Sequence, residues 1–374
     1  MQGTPPIQEK RGRMADYTRR EFGAALAAGA ALPAALEQTQ SSRPSAGSLT
    51  DVPGLTVGHF TDTRRPTGCT AILFESAAAA AVDYNSSAPG ESMGVMLQPV
   101  SPVNSIHGLF LTGGGPFALP ASGGVQRYLE ERKVGFDWGA PGLRVPIVVS
   151  AVIDDLAVGD GHIRPDVEAA YKACAAASSA PVAEGNVGAG AGGTVGKMHR
   201  SRGLTGMKGG LGTASIKIGD VVIAALAVVN AAGDVLDWRS GQIVAGARRA
   251  DGRFADSVEF MRGIVSGTSG DAPVDDAPFR STTLTVVATN ITLEKTPLTK
   301  VAMMANCGAA RAVRPYHTTG DGDSLFAVST GRLARPNLQL TVIGSLAADV
   351  VAEAIVRGVR AARTVPGWPA VGDK

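Results

Sequence analysis

Cysteine is scarce in this chain and follows no pairing pattern. Cys69, Cys174 and Cys307 are odd in number and far apart, which excludes a disulfide framework and leaves no pair at metal-ligand spacing. They read as small buried or half-buried residues. The five histidines, His59, His107, His162, His199 and His317, are equally scattered, without the paired spacing of a zinc site. Neither a metal nor an organic cofactor is expected. No charge of one sign dominates: 35 Lys and Arg stand against 33 Asp and Glu. Five of the basic and three of the acidic residues fall in the first 36, so the remainder is balanced. No basic stripe is left for nucleic acid. Aromatic residues make up only 5%. Glycine, by contrast, is abundant at 48 of 374 residues, which predicts many tight turns and close backbone approaches. A hydrophobic fraction of 44% with 18% charged residues suits a soluble globular protein with a sizeable core.

The first 36 residues read as a targeting segment. Thr18-Arg19-Arg20-Glu21-Phe22 precedes an uncharged stretch, 22–36, built mostly of Ala, Gly and Leu. Paired arginines before such a run are the mark of a twin-arginine export signal, so an exported, periplasmic protein is expected. The stretch is too short for a comfortable transmembrane helix, and no stable membrane insertion is expected. Residues 37–48, rich in Gln, Ser, Thr and Pro, read as a linker.

From 49 to 374 the pattern is mixed α and β with no clear second domain. Strands are expected at 69–74, 77–84, 108–112 and 145–152, and helices at 116–132 and 165–177, with Pro165 in the first turn. The nearly continuous apolar run 216–230 predicts a strand buried on both faces. After it come a turn at 230–234 and a short return strand at 235–238. A helix is expected near 297–312, a turn at 321–323, strands at 325–328 and 338–343, and a last helix capped by Ser345. On that helix Glu353 and Arg357 are placed for an i,i+4 pair.

The glycine-rich segment 185–197 offers two phosphate-binding patterns, and both fail on context. Gly188, Gly190 and Gly193 fit a dinucleotide fingerprint, but no strand–turn–helix frame surrounds them. A P-loop needs Ser or Thr after Lys197, where Met198 stands. The alternative is close backbone packing that presents one cation, Lys197.

The most informative junction is Ser281–Thr282. A loop rich in Asp, Pro, Gly and Ser, 264–281, expected to be exposed and mobile, runs into the β-branched strand 282–288. A hydroxyl residue at the head of a strand is where a self-cleaving hydrolase would cut. Its hydroxyl then becomes the nucleophile and its own α-amine the base. The plainer reading is an ordinary strand.

Distant segments decide between them. In order and spacing, 83–91, 104–115, 150–154, 184–197, 207–215, 228–237, 281–290 and 315–330 together resemble the P1 family (S58, DmpA-type) of self-processing peptidases and amidases. That family includes L-aminopeptidase/D-esterases, β-peptidyl aminopeptidases and nylon-oligomer hydrolases. The resemblance implies an αββα four-layer sandwich of mixed α and β structure, an N-terminal-nucleophile hydrolase. It places a self-made cut between Ser281 and Thr282, giving an α chain to Ser281 and a β chain 282–374. It implies Thr282 as nucleophile, Asn230 as a donor to the oxyanion, and Lys197 as a cation that lowers the nucleophile's pKa or steadies the oxyanion. Asp321 and Asp323, 39 and 41 residues after Thr282, match the paired aspartates of the nylon-hydrolase branch and would titrate as a unit. Ser281 stands where many relatives have Asn. Phe117 falls where relatives carry a Tyr that assists the oxyanion, and reads instead as part of the substrate pocket, with Lys208 as a second pocket candidate. The resemblance alone implies a homo-oligomer of αβ units.

The expected activity is hydrolysis of amide or peptide bonds, as an aminopeptidase on short peptides or β/D-amino-acid amides. The alternative is endo-acting cleavage of ω-amino-acid oligomers. Less favoured are acyl transfer of the ornithine-acetyltransferase kind, against which export argues, and a non-catalytic binding protein.

Overall fold

The computed structural model describes residues 47–269, 273–274 and 280–372. The expected signal segment 1–36 and all of the linker but Gly47 and Ser48 lie outside the described residues.

Eight long strands carry the fold: β1 (Leu55–Thr61), β2 (Gly68–Asp83), β3 (Ser105–Thr112), β4 (Val148–Val152), β5 (Gly210–Ile218), β6 (Val221–Asn230), β7 (Thr282–Ile291) and β8 (Ser324–Leu333). Among the described residues five α-helices accompany them: α1 (Gly123–Glu131), α2 (Val167–Ala175), α3 (Ser257–Val265), α4 (Lys295–Ala312) and α5 (Leu340–Ala361). The strands hydrogen-bond in the order β5-β6-β7-β8-β2-β3-β4, with β1 also on β2 and the short strand Glu91–Ser92 on β4.

This sheet is folded over itself by β2. Its even residues Ile72, Phe74, Ala78, Ala80 and Val82 all enter one inner core. Its odd residues change partner along the strand. Cys69, Ala71 and Leu73 pack toward α1 and α2, whereas Ala81 packs toward α4 and α5. The switch falls at a register shift between Leu73 and Ala78, where a bulge bends and twists the strand. Layers therefore run α1/α2, first half-sheet, inner core, second half-sheet, α4/α5. Period-2 alternation supplies both faces of each half. The inner core gathers Leu109, Leu111 and Val149 from one half against Leu226, Val228, Leu284, Val286 and Phe326 from the other. Each such side chain contributes about 1.5–3 kcal/mol of burial. The expected αββα sandwich of mixed α and β structure is what forms.

Several local expectations differ. Runs 69–74 and 77–84 are one strand, because the bulge between them does not break the ladder. The run 216–230 is a hairpin: Ile218 pairs Val221 across Gly219-Asp220, and Gly219 at φ +60° makes the turn. Helix 116–132 begins as a 3-10 segment, Gly115–Ser122, with Pro120 inside it, before α1. Pro165 precedes α2, whose N-cap is Asp166. No strand forms at 338–343. Leu340 opens α5 with Gln339 as N-cap, and Ser345 is an exposed residue within it. Ile343, Ala347, Val350, Val351, Ala354 and Ile355 keep helical spacing on one buried face, which outweighs the local β-branched content. Glu353 and Arg357 do not pair. Glu353 accepts from Trp238 and Arg239, and Arg357 donates to Glu184. Cys307 is exposed, unlike Cys69 and Cys174.

Candidate active site

Alternation brings the chemistry to one end of the second half-sheet. Along β7, Leu284, Val286 and Ala288 face the inner core, so Thr282 at the strand head faces the same way. Asn230 ends β6 in step with Val228 and Leu226 and pairs directly with Thr282. β8 runs parallel to β7, so the segment leading into β8 lies beside the head of β7, and Ser281 bridges to Asp321.

The junction itself is buried, whereas Val265, Ser266, Gly267, Thr268, Pro273 and Arg280 of the loop before it are exposed as expected, and 270–272 and 275–279 lie outside the described residues. Ser281 is 6% and Thr282 3% exposed. The first residues of the expected loop, Ile264 and Val265, close α3. The Ser281 carbonyl oxygen accepts two hydrogen bonds. Thr282 Oγ1 donates at 2.6 Å, and the Gly322 N–H donates at 2.9 Å. Gly322 is required by space: a Cβ there would lie 2.5 Å from the Ala88 oxygen and 2.8 Å from Thr282 Oγ1.

Asp321 and Asp323 flank Gly322, both buried rather than on a surface turn. Asp323 holds the strand head: its Oδ1 accepts from the Thr283 N–H at 2.6 Å, and its Oδ2 accepts from the His317 N–H. Asp321 Oδ2 accepts from the Thr318 N–H, while Oδ1 has no hydrogen-bond partner among the described residues. Burial, then the neighbouring Asp323 charge, pushes the Asp321 carboxyl up to about 7.

Lys197 opens a short 3-10 turn, Lys197–Arg202, after Gly196 in the left-handed region. Its Nζ donates to Asn230 O and Oδ1, each at 2.9 Å, and to Arg280 O at 2.8 Å. Burial pulls its pKa down to about 7, opposed by the charges of Asp321 and Asp154. Asn230 Oδ1 also accepts from Thr194, and its Nδ2 donates to the Asp154 carbonyl at 3.1 Å. The Asn230 amide thus braces the segment after β4. A cleft of about 330 Å³ opens beside these groups, lined by Asp154, Asp155, Thr194, Lys197, Arg280 and Trp368 among others.

Ser281, Thr282, Asn230, Lys197, Asp321 and Asp323 are therefore brought together. Phe117 and Lys208 are not. Phe117 is 67% exposed, with the Arg164 guanidinium over its ring, and is not on the cleft lining. Lys208 is fully buried, its Nζ on the carbonyls of Gly190, Gly193 and Gly209. It ties the glycine-rich segment together, and burial pulls its pKa to about 7. That segment packs by close approach: a Cβ at Gly190 would meet the Leu211 nitrogen at 2.3 Å. Sequence reasoning passed over Gly322, Asp154 and His317, whose Nδ1 lies 3.4 Å from Asp323 Oδ2. Only the small residue between two aspartates hinted at the first; the others carry no local signal.

The chain is thus a four-layer αββα sandwich with a buried hydroxyl residue, Thr282, heading a central strand. The profile of peptidase family S58 matches residues 47–370, and the chain belongs to that family; it is a hydrolase. The chain is 37% identical over 353 residues to an uncharacterised aminopeptidase of Mycobacterium tuberculosis, covering 87% of this chain and 97% of the relative. It is 29% identical over 326 residues to a 6-aminohexanoate-oligomer endohydrolase of Kocuria sp., covering 83% and 85%. Its fold matches the L-aminopeptidase D-Ala-esterase/amidase of Ochrobactrum anthropi with a TM-score of 0.57 at 22% identity, covering 85% and 86%.

Proposed function

We propose that the chain cuts itself between Ser281 and Thr282 and then hydrolyses amide bonds with the freed Thr282, as an aminopeptidase on short peptides or amino-acid amides. The observation that carries this is the doubly held Ser281 carbonyl. Attack of Thr282 Oγ1 on the Ser281 carbonyl carbon moves the acyl group from nitrogen to oxygen, and the Gly322 N–H faces the oxyanion that forms. Asp321, with a free carboxylate oxygen and a pKa near 7, is suited to take the hydroxyl proton and to return it to the Thr282 nitrogen as the C–N bond breaks. Water then resolves the ester and leaves Thr282 with a free α-amine.

In the second reaction that amine is the base for Thr282 Oγ1 and returns the proton to the leaving amine. Lys197 loses its Arg280 acceptor when the α-chain end departs, and Nζ becomes available to a substrate carbonyl in the same cleft. The paired aspartates and the endohydrolase relative favour a second reading, endo-acting cleavage of ω-amino-acid oligomers.

Intact mass of the wild type and of Thr282→Ala tests the first step: two chains are expected in the wild type and one in the variant. A processed, active Thr282→Ala enzyme would refute the assignment. Cleavage of aminoacyl anilides with free and acetylated amines separates the two substrate readings. An aminopeptidase loses the blocked substrate and an endo-acting amidase keeps it.

A further inference from the structure

A second cavity lies on the other side of the turn that carries Lys197. It measures about 400 Å³ and is lined by His199, Arg202, Arg249, Asp256, Glu259 and Phe260 among others. Its acids are already matched. Asp256 pairs with Arg314 and caps α3, and Glu259 pairs with Arg262. Its two arginines are not. Neither Arg202 nor Arg249 has a carboxylate partner among the described residues; Arg202 lies over the Phe260 ring at 5.0 Å. His199 is 1% exposed and also packs on Phe260, with centroids 4.9 Å apart. One edge of the imidazole faces the Ala255 backbone, and neither ring nitrogen completes a hydrogen bond among the described residues.

The Arg202 guanidinium and the buried His199 imidazole are held against one aromatic ring, with the exposed Arg249 on the same lining, and the imidazole is the buried group left without a hydrogen-bond partner among the described residues. An orphaned buried polar group costs free energy until it is satisfied. We propose that this cavity is a binding site for a small oxyanion, with Arg202 and Arg249 supplying charge-assisted hydrogen bonds and His199 donating from its buried ring. Guanidinium forks suit tetrahedral and carboxylate oxyanions alike. The site is separate from the hydrolytic cleft and does not rest on the substrate reading.

Binding is linked to protonation. Burial holds the His199 pKa below its ordinary value; the Ala255 backbone beside the ring opposes it, the Arg202 and Arg249 charges add to it, and Asp256 opposes it. Glu259 is engaged by Arg262, and Phe260 adds no charge. A bound dianion raises the imidazole pKa, so affinity increases as pH falls from 8 to 6.

The probe is inorganic sulfate, whose charge is constant over that range, titrated into the full-length protein by calorimetry. One saturable site is expected. Arg249→Gln and Arg202→Gln, both at exposed positions that leave the fold intact, each weaken it roughly tenfold or more. His199→Gln flattens the pH dependence. Absence of saturable binding overturns the proposal. So does sulfate binding that survives both arginine variants, which would place the anion in the Lys197 cleft instead.

Discussion

Replacing Gly322 with Ala tests whether this backbone amide drives self-cleavage. Gly322 does not occupy the left-handed region, so alanine meets no conformational penalty and the effect is one of space. The added Cβ would sit 2.5 Å from the Ala88 oxygen. Restoring an ordinary 3.4 Å contact requires a displacement of about 0.9 Å. The Gly322 N–H now donates to Ser281 O at 2.9 Å. A shift of that size along the bond carries it beyond hydrogen-bonding range. Loss of one oxyanion donor costs on the order of 10²–10³ in rate, with about 1–3 kcal/mol of stability from overpacking. The assay is the decay of the uncut chain by intact mass after rapid purification, with thermal unfolding of the same sample as a folding control. A folded Gly322→Ala protein that cuts itself at the wild-type rate would refute the argument.

The remaining predictions concern charge, packing and export. Asp321 is protonated below about 7 and a base above it, so self-cleavage should rise about tenfold from pH 6 to pH 8. Asp321→Asn should be slow and flat across a quenched time course at several pH values. Lys208→Met removes three hydrogen bonds to buried carbonyls, and should cost about 2–4 kcal/mol in urea denaturation even though it relieves a buried charge. If residues 1–36 direct twin-arginine export, Arg19→Lys with Arg20→Lys should retain the protein in the cytoplasm on cell fractionation.

Much of this protein was legible from the chain alone. The β-branched run after Ser281, the two aspartates around Gly322, and the polar residues Asn230 and Lys197 closing apolar or glycine-rich segments all stand in the sequence as local patterns. Alternation on β6 and β7 is set by residue order, and so is the direction in which Asn230 and Thr282 face. Other features depended on where the chain returns. Lys208 reads like Lys197 in sequence, yet it is buried behind the glycines, because only the folded backbone shows which carbonyls surround each amine. Phe117 differs for a similar reason: it sits exposed on the 3-10 segment Gly115–Ser122, off the cleft lining. Burial of the Ser281–Thr282 junction and the approach of Gly322 come from parallel pairing of β7 with β8 across more than thirty intervening residues. Periodicity describes each strand separately and cannot specify which strand becomes its neighbour. The desolvation that brings both Asp321 and Lys197 to about 7 exists only once those neighbours exclude water.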